Sequence, residues 1–445
     1  MGFEERLRRI RAPAAVPDAG AAAPSSDGPS LTQRLRRLST GRTTPAPAAP
    51  STPDESALAA ALGAALLCPG VLCLERRLDP RLRHGRVLLG SSHCPQDPPW
   101  TQAPPVGWIS AAQPPQAQSP GDWLCLDTET SGLAGGTGTW AFLTGLLRPD
   151  GPGWCLRQYL LTRLDAESAY LERIAAELVV PVRLLTYNGR TFDAPLLATR
   201  FRLAGRADPL VGLAHLDLLA PTRRAFARVW PDCRLATAES RLLGVQRDGD
   251  LPGSAAPAAW LGWLRRGETG PLAAVLRHNR ADLLSLAGLL PVLEAVYRDP
   301  GAFGADCRAV AAAHLARGDE AQALRILAAN RRGLDAPGLH DLARLYRRSG
   351  DWGPALGIWE DLAARGDAAA RAALARFHEH QGGDLARALD LTQTLPPGAE
   401  RERRGARLRA KLERRGAGLQ IALAIDGEAL IVIPASGVRS QGFQP

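Results

Sequence analysis

Residues 123–146 read WLCLDTETSGLAGGTGTWAFLTGL, and the fold turns on how this stretch is taken. Four apolar residues, Trp123 to Leu126, run into Asp127-Thr128-Glu129-Thr130 and then into a loop with glycines at 132, 135, 136 and 138. A continuous apolar run that ends in acids is the pattern of a buried strand whose carboxyl end opens onto a site. Strand side chains alternate, so Asp127 and Glu129 leave on one face and Thr128 on the other. Two neighbouring carboxylates repel unless a cation holds them. Oxygen donors without a nearby thiol pair suit Mg²⁺ or Mn²⁺ rather than zinc. Two solvated acids in a turn would give the same triplet, so other blocks must decide.

Residues 184–197, LLTYNGRTFDAPLL, supply the first. An apolar strand ends at Tyr187, Asn188-Gly189 turns the chain, and a helical pattern starts near Thr191. Asp193 then sits in a helix's first turn, where backbone dipoles favour negative charge, and Pro195 fits the same turn because its missing N–H costs nothing there. The second block is residues 276–290, LRHNRADLLSLAGLL, whose leucines recur at helical spacing. His278 and Asp282 are four apart and share one helix face.

Asp-Thr-Glu-Thr on a strand, Asn-Gly-Arg-Thr-Phe-Asp in the middle and His-Asn-Arg-Ala-Asp on a late helix together resemble the DnaQ-like, or DEDD, 3′–5′ exonuclease superfamily of the ribonuclease H fold. The chain also resembles the bacterial YprB-type ribonuclease H-like proteins, and the stretches at 215–224, 235–245 and 250–260 look like that family too. The resemblance covers roughly residues 120–298. It implies an α/β domain with a mixed sheet and two Mg²⁺ or Mn²⁺ ions held by Asp127, Glu129, Asp193 and Asp282, with His278 as the base. It also implies contacts from Thr130, Ser131, Gly132 and Leu133 to a terminal nucleotide, with Asn188 and Phe192 in the same pocket. Phe192 could equally be helix-to-sheet core. The implied substrate is single-stranded DNA or RNA shortened from its 3′ end. One departure stands out. The superfamily's histidine branch places that residue five before the last aspartate and its tyrosine branch places a tyrosine four before, whereas here a histidine stands four before. At about 100° per residue, four steps keep His278 and Asp282 within about 40° of each other.

Composition sets the outer bounds. A chain of 445 residues has room for two or three domains. No apolar run approaches the roughly 20 residues of a membrane span, and the charged start MGFEERLRRIRAP lacks the apolar segment of a signal peptide. A cytoplasmic protein with no membrane partner is expected. The formal charge is +9 with pI ≈ 9.7, nearly all of it from arginine, since Lys411 is the sole lysine. That balance permits nucleic-acid binding without requiring it. The glycine spacing at 132–138 fits neither nucleotide-binding loop motif.

Residues 1–54 are Ala/Pro/Ser-rich and expected to be disordered, with two basic echoes at 6–10 and 34–38. Residues 55–119 read as a partly ordered segment, one helix and one or two strands, followed by a Pro/Gln-rich linker. Within 120–298, Pro149-Asp150-Gly151 marks a hairpin, and a helix is expected from Asp165, its cap, to Val180. Asp217 is a candidate rim acid or a buried strand-end residue. Arg223 and Arg224 meet phosphate or lie on a solvated helix face. From 299 to 415 the pattern is helical throughout, with Gly-Asp recurring at 318–319, 350–351 and 383–384. Intervals of 32 and 33 residues resemble tetratricopeptide repeats, an all-α array that stacks its helices on each other or on the preceding domain. It could dock a protein partner. The run 400–415 is strongly basic, and the tail 416–445 alternates around Asp426-Gly427 as a terminal β-hairpin would. Metal-dependent phosphodiester hydrolysis is the leading function; a non-catalytic binding scaffold with a helical docking arm is the rival.

Overall fold

The computed structural model describes residues 53–90, 123–132, 137–179 and 182–425, with side chains through residue 416. Residues 1–52, most of the linker, Leu133 in the glycine loop and the tail from 426 lie outside the described residues.

Order begins with α1 (Glu55–Leu62), capped by Asp54, which accepts from the backbone N–H groups of Ser56 and Ala57 at 3.0 Å each. Next come β1 (Ala65–Cys68), β2 (Val71–Leu78) and a short hairpin of β3 (Arg83–His84) and β4 (Val87–Leu88). The quoted stretch forms β5 (Trp123–Thr130) and the start of β6 (Ala141–Asp150), which turns through Gly151 at φ +57° into β7 (Gly153–Leu161). Then follow α2 (Glu167–Glu177), β8 (Arg183–Thr186), α3 (Asp193–Leu203) and β9 (Ala214–Asp217). Asp165 does not cap α2. It lies inside a 3-10 turn, Leu164–Ala166, and pairs with Arg163 at 2.7 Å.

Seven strands make one mixed sheet in the order β1-β2-β7-β6-β5-β8-β9, parallel only at β5–β8 and β8–β9. The segment before residue 120 is therefore part of the sheet. It adds two strands, with β2 paired along its full length to β7. Both faces of the sheet are covered, which is why residues 123–126 of β5 are apolar without a break. Leu124, Leu126 and Leu184 enter a core with Tyr170, Trp260 and Trp263, while Trp123, Cys125 and Leu185 enter a second core with Leu283, Leu286 and Leu290.

The chain continues through α4 (Leu219–Phe226), the single turn α5 (Leu235–Ala238) running into a π-turn over Glu239–Leu243, α6 (Ala256–Arg266) and the long α7 (Gly270–Arg298). Leu272, Val275 and Leu276 of α7 belong to the first core and Leu283 onward to the second, so residues 278–282 mark the change of face.

Helices α8 (Cys307–Leu315), α9 (Glu320–Ala329), α10 (Ala336–Arg348), α11 (Trp352–Ala364), α12 (Ala368–His380), α13 (Leu385–Gln393) and α14 (Ala399–Ile425) complete the fold. Each Gly-Asp step opens the second helix of a pair, with the glycine at positive φ. Asp319 and Asp384 cap their helices by accepting from Gln322 N and Arg387 N, but Asp351 makes no such bond. The array shares the second core with the sheet domain: Tyr297, Val310, Ile326 and Leu342 continue the cluster that holds Leu283. The hairpin expected in the tail is not formed by residues 416–425, which are the last turns of α14.

Candidate active site

Asp127 stands on β5 directly opposite Gly145 of β6. A Cβ at Gly145 would come within 2.0 Å of Asn279 Oδ1, so the missing side chain is what lets α7 approach the sheet here. Asn279 is fully buried; its Nδ2 donates to Asp127 Oδ2 at 2.8 Å and to the Asp127 carbonyl at 3.2 Å. Gln158 Nε2 of β7 donates to Asn279 Oδ1 at 2.8 Å and fixes the amide's orientation.

Asp193 is held differently. The β5–β8 ladder ends at the Cys125–Leu185 pair, and Asp193 Oδ1 accepts from Thr128 N at 3.0 Å and from Thr128 Oγ1 at 2.5 Å. The loop before it is strained at Asn188, which has φ +67° without being glycine. Asp217 holds that loop: its carboxylate accepts from the backbone N–H groups of Asn188 (2.7 Å), Arg190 (3.1 Å) and Leu219 (3.0 Å). Asp217 is thus a buried loop clamp rather than a rim acid.

Asp282 and His278 share a face of α7, with His278 Nε2 3.7 Å from Asp282 Oδ2. The histidine's other nitrogen, Nδ1, lies 2.7 Å from Asp250 Oδ2. An ionised carboxylate only accepts, so Nδ1 donates in that contact, with Arg247 Nη1 also 3.3 Å from it, and in this tautomer of the neutral ring Nε2 keeps the lone pair. Arg247 completes the cluster. Its guanidinium bonds Asp282 and Glu239 through Nη2 and Asp250 through Nη1 at 3.0 Å. Glu239, on the π-turn, also accepts from Ser285 Oγ, and Ser285 meets His84 Nε2 at 2.7 Å. A polar chain thus runs from the β3–β4 hairpin to the site.

The acids perturb one another. Burial first, then the charges of Asp282 and Asp193, push the Glu129 carboxyl up to about 8. Asp127 is driven well above the usual carboxylate range by burial, then by Asp282, Asp193 and Glu129. Burial raises Asp193 to about 6 against its bonds from Thr128, and raises Asp282 even with Arg247 and His278 opposing it. Asp250 goes the other way: burial is outweighed by its bonds from Arg247 and His278, which hold it low.

Among the described residues, no three His, Cys, Asp or Glu side chains stand close enough together to cage a metal ion as placed. Asn279, Thr128 and Arg247 each engage one oxygen of Asp127, Asp193 and Asp282, and each carboxylate keeps its second oxygen outside those bonds. The donor set nevertheless fits a hard divalent cation, being all oxygen and carrying more negative charge than Arg247 alone offsets.

A cavity of about 540 Å³ opens beside the strand end, with Asp127, Thr130, Gly132, Asn188, Phe192 and Asp193 among its walls. Glu129, His278 and Asp282 lie outside those walls. Phe192 is 59% exposed, so it is cavity wall and not core. Ser131 pins the loop, accepting from Trp140 N at 2.9 Å and donating its own N–H to Trp140 O at 2.9 Å. Sequence reasoning missed Arg247, Asp250, Glu239 and Asn279. The only available signal was that 235–245 and 250–260 resembled the family as blocks, without marking which residues mattered.

A ribonuclease H superfamily model matches residues 124–294. YprB of Bacillus subtilis (strain 168), an uncharacterised protein, is 29% identical over 334 residues, covering 72% of this chain and 79% of its own. Among solved structures, product-bound exonuclease I aligns with 35% of this chain and 45% of its own at 19% identity and TM-score 0.25. Escherichia coli exonuclease I in complex with a dT13 oligonucleotide aligns with 32% and 41% at 21% identity and TM-score 0.23. This chain spans under half the length of those exonuclease I chains.

Proposed function

We propose, from the premise that residues 124–294 form a ribonuclease H-superfamily domain of the YprB type, that this chain is a metal-dependent nuclease that shortens single-stranded nucleic acid from the 3′ end. One observation carries the proposal: a strand and two helices far apart in sequence bring the four acids to one strand end. Thr128, between Asp127 and Glu129 on β5, bonds Asp193 of α3, and Asn279, three residues before Asp282 on α7, bonds Asp127.

Asp127, Glu129, Asp193 and Asp282 would hold two Mg²⁺ or Mn²⁺ ions, which when bound supply positive charge to the attacking and leaving oxygens of the phosphodiester. His278, with Nδ1–H fixed on Asp250, presents Nε2 to take a proton from the attacking water. Arg247 engages only Oδ1 of Asp282, so Oδ2 is the oxygen that carboxylate would offer an ion, and Glu239 and Asp250 hold the guanidinium in place. Phe192 offers an exposed ring to the terminal base, while Thr130, Gly132 and Asn188 line the same cavity.

Labelled single strands incubated with Mn²⁺, with and without chelator, provide the test. A metal-dependent ladder growing from the 3′ end, absent with Asp127→Asn, is expected; a ladder that persists in that variant overturns the assignment. The rival, a non-catalytic scaffold, is favoured by the Arg247–Asp282 contact, which neutralises an acid a scaffold would otherwise bury at a cost. Wild-type protein that binds strands without cutting them in Mg²⁺ or Mn²⁺ would establish it.

A further inference from the structure

Helices α10 and α12 turn one face each into a groove of about 490 Å³, well away in the chain from the acids. From α10 come His340, Arg344 and Arg347, at i, i+4 and i+7, and from α12 come Ala373, Arg376 and Phe377, so each helix contributes a single stripe. The small Ala369 and Ala373 leave the floor low, and Trp359, 4% exposed, backs it from α11. Trp352 reaches in from the start of α11, its ring 5.1 Å from that of Phe377 at 41°, both half-buried.

Three arginines line this groove and no carboxylate does. Arg344 is partly committed, donating to Asp341 at 2.8 Å, and His340 lies 3.1 Å from Asp367. Arg347 and Arg376 make no ion pair or side-chain hydrogen bond to any described residue, although both are exposed enough to recruit one. Arg376 is held below the usual guanidinium range by burial and by the charges of Arg404, Arg347 and Arg344. Asp341, Asp367 and Glu400 offset only part of this positive charge, so the arginines beside flat apolar rings form a surface short of an anion. The aromatic pair adds something a peptide carboxylate would not need: a face for a planar base. Guanidinium groups that track phosphates and rings that stack bases are how single strands are bound without sequence preference.

We propose that this groove binds one or two nucleotides of single-stranded DNA or RNA, with Arg347 and Arg376 on phosphates and Trp352 with Phe377 against a base. Because the helical array shares a core with the sheet domain, a strand held here is held at a fixed offset from the catalytic cavity. Strand binding at the groove does not require that the chain cut anything.

The experiment is fluorescence anisotropy on the full chain in EDTA, so that no cleavage intervenes, with labelled short oligothymidylate and oligouridylate. Arg347→Glu/Arg376→Glu is expected to weaken binding of both probes by about tenfold or more. It should also flatten the slope of log affinity against log salt by roughly 1.4, the value for two single-strand phosphate contacts. Arg347→Lys/Arg376→Lys should keep most of the affinity, and Trp352→Ala should lose about tenfold with little change in slope. Circular dichroism on the exposed arginine variants verifies that the fold is intact. Wild-type affinity in the charge-reversed variant overturns the inference, and so does a labelled polyglutamate peptide that needs these arginines when the oligonucleotides do not. The catalytic assignment is judged separately, by the Mn²⁺ ladder assay, on which this binding measurement in EDTA does not depend.

Discussion

The guanidinium of Arg247 lies against the Asp282 carboxylate while also holding Glu239 and Asp250, so one cation serves three acids on three separate elements. Glu239 is 1% exposed and, among the described residues, keeps Ser285 as its one further hydrogen-bond partner. Arg247→Ala would strand that charge in the interior, and breaking a buried pair on one side costs about 3–5 kcal/mol. Urea denaturation should show a loss in that range, with Mn²⁺ recovering part of it; a change below about 1 kcal/mol would refute the account.

Stability without metal should fall as pH rises. Glu129 has a folded value of about 8 against an ordinary 4.5, and Asp193 about 6 against 3.8. Between the ordinary and the raised value the folded chain holds protons that the unfolded chain has lost. The contribution of these acids is therefore fully present below the ordinary values and declines through the window from about pH 4 to 8, opposed up to about pH 6.5 by His215, which burial lowers to about 4. Melting in chelator should track this decline, and Mn²⁺ should flatten it. Calorimetric titration of Mn²⁺ near neutral pH, in buffers of different ionisation enthalpy, should detect proton release; none would mean that the acids do not meet the ion.

Positioning of the base predicts an order of effects. His278→Ala should lower kcat by about 10²-fold or more. Asp250→Asn, which keeps the shape but removes the charge that orients Nδ1–H, should cost about 10–100-fold and shift the pH–rate profile. Equal rates for Asp250→Asn and wild type would remove the orienting role.

Gly145→Ala is the smallest change expected to disturb the site. Its methyl would meet Asn279 Oδ1 at 2.0 Å and Leu283 Cδ1 at 2.7 Å. Asn279 is fully buried and held by Gln158, so it has little room to move. A destabilisation of about 1–3 kcal/mol is expected, together with weaker metal binding because Asp127 loses its amide partner. Unchanged unfolding and metal affinity would show that α7 adjusts freely.

Phe192→Ala tests the cavity wall. With the ring 59% exposed, unfolding should be near wild type, while a lost base contact of about 1–3 kcal/mol raises KM roughly tenfold. A stability loss with unchanged KM would return Phe192 to a packing role.

The sequence alone determined what lies within one element. The apolar run into Asp127-x-Glu129 specified a doubly buried strand with two acids on one face, four-residue spacing put His278 beside Asp282, and the turn at Asn188-Gly189 placed Asp193 in a helix's first turn. Such features are local, since helical and strand periods are written in neighbouring residues. Only the tertiary structure decided that Arg247 neutralises Asp282, that Asn279 and Gly145 set Asp127, that Asp217 clamps the Asn188 loop, and that residues 65–78 complete the sheet. Those partners meet across long stretches of chain: Asn279 reaches Asp127 across 152 residues and Thr128 meets Asp193 across 65. Contacts of that kind arise from packing several elements together, and no periodicity in any one of them records the result.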